Sequence, residues 1–320
     1  MSEKIFPGRE YPNRTRLSQG MSGTTWRVTH PDSPNQNLVL KEPREDDGLA
    51  EADIKREARA LVALRQSNGV DVPPGVPMLV DVGRNTLGDV RFIVTEDLST
   101  HFVPLDHPRP RPFTAREVLR IAKATLTTLD CAHRQNFTHG DLEDKPGHIW
   151  LRATNLGADA SEPLTKVMDW GNAQWVAEGG TASPVDDLAA FGALLLAHWP
   201  EKSASAQPTA EIEARKLLKE MAGRCYPTTG ELLELVARQL EQHERELATK
   251  VKTLKADVTA NTFGEDLLWL SQADPDQPEI AALKDARDES DCLLDGWHAV
   301  ARGLDALVAG TTGTTDLDEA

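Results

Sequence analysis

Leu129-Asp-Cys-Ala-His133-Arg-Gln-Asn136-Phe-Thr-His139-Gly140-Asp141-Leu142 runs out of a helical pattern and ends it at Asn136. Asparagine tolerates the left-handed conformation that caps a helix. An apolar step then leads to His139 and Asp141. Downstream, Lys166-Val-Met-Asp169-Trp170-Gly171 reads as a short strand ending in a carboxylate before a glycine turn. Two carboxylates on loops after paired strands can orient a hydroxyl and hold a metal at one site.

Upstream of this pair, Thr24–Thr29, Asn37–Lys41, Met78–Val82 and Arg91–Thr95 are β-like runs bounded by Gly, Pro and Asn. Glu51–Gln66 has helical periodicity, with Ile54, Ala58, Leu61 and Leu64 on one face. Gly20 and Gly23, three apart before a β-like run, suit a hairpin whose backbone lies close over phosphates. Lys41 ends an apolar strand, so it needs an acidic partner to offset desolvation. Glu57, on the helix that follows, is placed to supply it. Four prolines between 104 and 113 suit a connector between lobes. Beyond it helices dominate. Thr114 with Glu117 forms a capping box opening a helix toward Arg134. His148–Arg152 and Leu164–Met168 are short β-like stretches around a polar loop, and Leu188–His198 is an apolar core helix.

This order of parts resembles the Hanks-type protein kinase family. The resemblance implies an α+β, two-lobed kinase-like fold: an N-lobe over 13–98, rich in strands, and a helical C-lobe over 99–240. It also implies ATP and magnesium as cofactors. Gly20 and Gly23 resemble the later glycines of the Gly-rich loop, with Ser18 at the first position and Thr25 replacing a valine. Lys41 resembles the strand lysine that contacts the α/β-phosphates, and Glu57 its helix partner. Thr95 stands as gatekeeper, and Glu96 to Leu98 face the adenine. His139-Gly-Asp141 resembles HRD, with Asp141 as catalytic base and Lys145 as the loop lysine. Asp169-Trp-Gly171 resembles DFG, with Asp169 on magnesium. Asp187 matches the helix aspartate that anchors the catalytic loop, and Tyr226–Leu233 resembles a stretch near the domain end.

Four departures change the expectation. Gly140 replaces the arginine that pairs with a phosphorylated activation loop, so control by that route is not expected. Only seventeen residues separate Asp169 from Asp187, with no APE, and Tyr226 sits where its arginine partner belongs. A peptide-docking groove is thereby in doubt. The catalytic loop is two residues longer, and His148 stands where asparagine holds the second metal. Imidazole is a poor magnesium ligand, so either one metal is lost or Glu143 or Asp144 supplies oxygen. The loop between His148 and Asp169 is also long, a surface insertion.

Past residue 240, Leu240, Leu247, Val251 and Leu254, then Leu293, Trp297, Val300, Leu304 and Leu307, form amphipathic stripes. They define a helical extension over 241–309 that braces the C-lobe or recruits a partner. The acidic tail over 310–320 reads as disordered. The chain has 320 residues, 39% of them hydrophobic and 27% charged, enough for a soluble domain with a real core. Its formal charge of −16 disfavours nucleic acid and anionic membrane as partners. Cys131, Cys225 and Cys292 are far apart and read as free thiols. No signal-like segment opens the sequence, so a cytoplasmic location is expected. The expected activity is an atypical serine/threonine protein kinase. The alternatives are a pseudokinase scaffold that binds nucleotide, a small-molecule kinase, and an acidic helical adaptor without nucleotide.

Overall fold

The β-like runs of the first hundred residues pair side by side, because each buries one apolar face and cannot do so alone. In the computed structural model, β1 (Thr15–Gly20), β2 (Gly23–His30), β3 (Ser33–Glu42), β4 (Leu79–Arg84) and β5 (Val90–Glu96) form an antiparallel five-stranded sheet. Its order is β1-β2-β3-β5-β4. The structure describes residues 11–20, 23–44, 47–66, 75–84, 89–109, 113–152, 165–199, 209–226 and 228–259.

One face of this sheet closes over Tyr11, Val28, Leu38, Leu40, Phe92 and Val94. Helix α1 (Gly48–Gln66) packs against β3, β4 and β5. Its predicted stripe of Ile54, Ala58, Leu61 and Leu64 is buried, and these residues continue into the larger core of the second lobe. The four predicted strands and the predicted helix are all present, each longer by one to five residues. The additional strand β1 is exposed along its whole length. It therefore carries no burial pattern for a sequence reading to find.

The connector holds a 3-10 turn at Leu98–Thr100, capped by Asp97, and strand β6 (Phe102–Pro104). Helix α2 (Ala115–Arg134) begins at the anticipated box: Thr114 Oγ1 accepts from Glu117 N (3.2 Å), and Thr114 N donates to Glu117 Oε2 (2.8 Å). Strand β7 (Phe137–Thr138) follows, then β8 (Ile149–Arg152), β9 (Thr165–Val167) and β10 (Gln174–Trp175). These form two small sheets, β6-β8-β9 and β10-β7, which carry the site loops.

The apolar helix expected at Leu188–His198 starts earlier, as α3 (Pro184–Ala197), because a Ser183–Asp186 box caps it. Helix α4 (Thr209–Ala222) packs on α3. Helix α5 (Thr229–Thr259) packs on α2 and α4. It buries Leu232, Val236 and Leu240, and Arg116 on α2 pairs with its Glu244 at 3.1 Å. It continues unbroken through residue 240, where the sequence reading places the start of an extension. The side chains of Leu247, Val251 and Leu254, the stripe from Leu293 to Leu307 and the tail over 310–320 lie outside the described residues. So do Leu164, the polar loop before it and Cys292. Among the described residues, Cys131 and Cys225 are not joined in a disulfide. No helix among the described residues is long and apolar enough to cross a membrane.

Candidate active site

Lys41 lies near the end of β3, in register with Ile93 of β5 and Thr25 of β2. That register aims its side chain at α1 and across to the second lobe. Its Nζ donates to Glu57 Oε2 on α1 at 2.7 Å and to Asp169 Oδ1 at 2.7 Å. Burial opposes the ammonium charge, but the two carboxylates outweigh it and hold Lys41 above the ordinary lysine range. Burial likewise opposes ionisation of Asp169, and Lys41 reverses the balance, so its pKa lies below the usual carboxylate value. Asp169 takes a left-handed backbone, with φ of 59°, to reach this position. The following Trp170 is fully buried, donates Nε1–H to Val167 O (3.0 Å) and rests 4.6 Å from the His139 ring.

The loop carrying Asp141 is held by Asp187 of α3, which is 2% exposed. Asp187 Oδ2 accepts from His139 N (2.7 Å), Oδ1 accepts from Gly140 N (2.9 Å), and His133 Nε2 lies 2.9 Å from Oδ2. His139 donates Nε2–H to Met168 O (2.8 Å) and accepts Asp141 N–H at Nδ1 (3.3 Å). That pairing needs a neutral ring, and burial lowers the His139 pKa in keeping with it. Gly140 has a φ of 75°, and a Cβ there would sit 2.6 Å from Asn172 O. The arginine of the resembled family is therefore excluded by the backbone itself.

Asn172, directly after Asp169-Trp-Gly171, donates Nδ2–H to Asp141 Oδ2 at 3.0 Å. It orients this carboxylate, and its place after the glycine turn was the available sequence signal. His148 donates Nδ1–H to the backbone carbonyl of Asp141 at 2.8 Å. Its Nε2 faces Asp169 Oδ2 at 3.5 Å, beyond ordinary hydrogen-bond length. Lys41, Glu57, Asp169, His148 and Asp141 thus form one continuous cluster spanning both lobes. Lys145 is not tied into it: it is exposed, and its side chain makes no hydrogen bond or ion pair among the described residues.

At the connector, Thr95 is buried. Glu96 turns its carboxylate to Met78 N (2.8 Å) and Lys166 Nζ (2.9 Å), so its side chain braces the connector rather than lining it. Lys166, on β9, also donates to Val76 O at 2.9 Å. A lysine in a three-residue strand that is buried throughout gave no sequence signal of which way it points. Leu98 is buried at the head of the 3-10 turn, and its carbonyl accepts from His101 N. Asp97 takes Arg27 Nε at 2.8 Å, tying β2 to the connector.

Gly20 and Gly23 pair at the end of the β1–β2 hairpin, and the two residues between them lie outside the described residues. Gly23, with φ of 137°, leaves no room for a side chain, since a Cβ would lie 2.0 Å from Glu42 O. Gly20 faces open space. The segment after Asp169 is pinned to α1. Arg56 Nε donates to Gly171 O (2.7 Å), and Arg59 stacks 4.0 Å from the Trp175 ring centroid while pairing with Glu178.

The donor set is compatible with a divalent cation. Asp169 Oδ2 and His148 Nε2 face each other without a hydrogen bond, while Lys41 occupies the other Asp169 oxygen. The set is one hard oxygen and one imidazole nitrogen, not the all-oxygen set that magnesium prefers.

No protein-family model matches the sequence, and no curated protein does. Solved structures do match the fold. Vaccinia related kinase 3 aligns with a TM-score of 0.51 and 13% identity, covering 77% of this chain and 90% of that one. The Mycobacterium tuberculosis PknI kinase domain aligns at 0.46 and 17%, covering 72% and 98%. At such identity the likeness speaks to fold: a two-lobed, α+β protein-kinase architecture.

Proposed function

We propose that this chain, built on the two-lobed protein-kinase fold, is an ATP- and divalent-metal-dependent phosphotransferase, a serine/threonine protein kinase with an atypical, short activation segment. The observation that carries the reading is Lys41 bridging Glu57 and Asp169 at 2.7 Å each. A lysine–glutamate ion pair beside an aspartate free to hold a metal is the arrangement that protein kinases use for phosphoryl transfer. In this reading Lys41 meets the phosphates, Gly20 and Gly23 let backbone lie over them, and Thr95 with Leu98 borders the base. Asp169 and His148 would hold a cation, whose chemistry is to neutralise charge on the transferring phosphoryl group. Asp141, aimed by Asn172, accepts the proton of the attacking hydroxyl.

The test is transfer of labelled phosphate from ATP to the chain itself or to a generic protein acceptor. Wild type transfers label; Asp141→Asn loses transfer while its circular dichroism and melting temperature stay unchanged. Equal transfer by both would remove Asp141 as base.

A second reading, a regulatory pseudokinase that binds nucleotide, is favoured by His148 in place of asparagine and by the exposed Lys145. It predicts no transfer with magnesium or manganese, together with a melting temperature raised by nucleotide through mass action.

A further inference from the structure

The ring of His148 is locked in one tautomer. Its Nδ1 lies 2.8 Å from the Asp141 carbonyl oxygen. A carbonyl can only accept, so Nδ1 carries the proton, and in the neutral ring the Nε2 lone pair points at the Asp169 carboxylate. Fixing the ring through a backbone carbonyl on the far nitrogen is how proteins orient a metal-ligating histidine. Two donors about 2.1 Å from a shared ion lie roughly 3.0 Å apart at a right angle and roughly 3.4 Å apart at a tetrahedral angle. The 3.5 Å between His148 Nε2 and Asp169 Oδ2 suits neighbouring ligands on one ion. Two neighbouring carboxylate oxygens are engaged: Asp169 Oδ1 holds Lys41, and Asp141 Oδ2 takes Asn172. His148 is also a half-buried part of the site, its side chain 16% exposed.

We propose that His148 and Asp169 form a mixed nitrogen–oxygen site that selects first-row transition divalent cations, Mn2+ or Co2+, over Mg2+ as companion of the nucleotide. The inference rests on the nucleotide-binding reading above and adds the identity of the metal class. Affinity of a nitrogen–oxygen site rises along the first-row series that begins at Mn2+ and passes through Co2+, whereas Mg2+ holds its water and prefers oxygen. Triphosphate oxygens and water would complete the coordination. The departure that weakens a magnesium site is thus a change of metal preference rather than loss of a metal.

The test uses the full chain with Mn2+ and a methylene-bridged ATP analogue, read by pulsed electron paramagnetic resonance. The expected result is a histidine nitrogen coupling to Mn2+. Labelling the histidines with 15N changes that coupling, a control that needs no variant. In His148→Asn the coupling disappears while analogue and cation still bind. The ratio of Mn2+ to Mg2+ affinity for the analogue complex, measured by titration calorimetry, falls by at least about tenfold, the scale that even an outer-shell partner commands. If the analogue binds with Mg2+ and the Mn2+ complex shows no histidine coupling, the metal preference is overturned and the nucleotide site stands. If the analogue binds with neither cation, the phosphotransferase reading falls, and this inference with it.

Discussion

Two lysines join the lobes, and they are built differently. Lys41 leaves the N-lobe sheet and meets two carboxylates, Glu57 and Asp169. Lys166 leaves the C-lobe strand β9 and meets one carboxylate, Glu96, plus the carbonyl of Val76. The second arrangement is electrically complete, with one cation, one anion and a neutral acceptor. It works as a strut behind the connector. The first sets two carboxyl groups against one cation with a histidine nitrogen beside them, and such a node accepts a further cation. The difference separates a joint that only sets the lobe geometry from one that sets the geometry and also awaits a ligand.

The largest expected effect breaks the chemistry without touching either lysine. Asp141→Asn lowers phosphate transfer by about 10^2- to 10^4-fold, the range for a general base, in the label-transfer assay. Next, Lys41→Met weakens nucleotide binding by roughly 10- to 100-fold, equivalent to losing a hydrogen bond from a charged group, as read by calorimetry. Lys166→Met inverts the pattern. It lowers stability by about 2 kcal/mol, a melting shift of roughly 4–8 °C for a domain of this size, and leaves the nucleotide-induced shift in place. If both lysine variants behaved alike, the contrast between strut and site would be gone.

Smaller effects sharpen the picture around the two joints. Arg59→Ala removes the stacking on Trp175 that pins α1 to the segment after Asp169, and costs about 0.5–1 kcal/mol in thermal or chemical unfolding. Asp97 carries a pH signature. Burial raises its pKa, but hydrogen bonds from Ser99 and Arg27 outweigh that and hold it below the ordinary value. A depressed carboxyl stabilises the fold above its unfolded pKa, and the contribution is lost as pH falls through the folded one. Wild type therefore loses more stability than Asp97→Asn as pH drops below about 4, in unfolding curves measured across that range.

The sequence carried much of this because the fold needs recognisable devices. Thr114 with Glu117 announced the start of α2, and Asn136 its left-handed exit. Runs rich in Val, Leu, Ile and Thr, bounded by Gly, Pro and Asn, announced β2 to β5, and the α1 stripe announced which face turns inward. Lys41, Glu57 and Asp169 were legible because a strand-end lysine and a carboxylate before a glycine turn have few uses. Strand β1 was not legible, since its exposed residues leave no burial pattern. The start of α5 was hidden because its helical stripe was read only from Leu240 onward, although Leu232 and Val236 are buried already. Lys166 acquires its role from a contact 70 residues away in sequence, which nothing local encodes; Asn172, whose contact lies 31 residues away, had only its place after the glycine turn as a signal. Lys145, the loop lysine in the matching place, has its side chain exposed and outside the cluster.

The most direct measurement of the central claim is calorimetric titration of an ATP analogue, with Mn2+ or Mg2+, into wild type, Lys41→Met and Lys166→Met. Convergence of the lobes on a triphosphate predicts binding by wild type, a loss of at least about tenfold in Lys41→Met, and retained binding in Lys166→Met. Absence of binding by wild type, or unchanged binding by Lys41→Met, would contradict it.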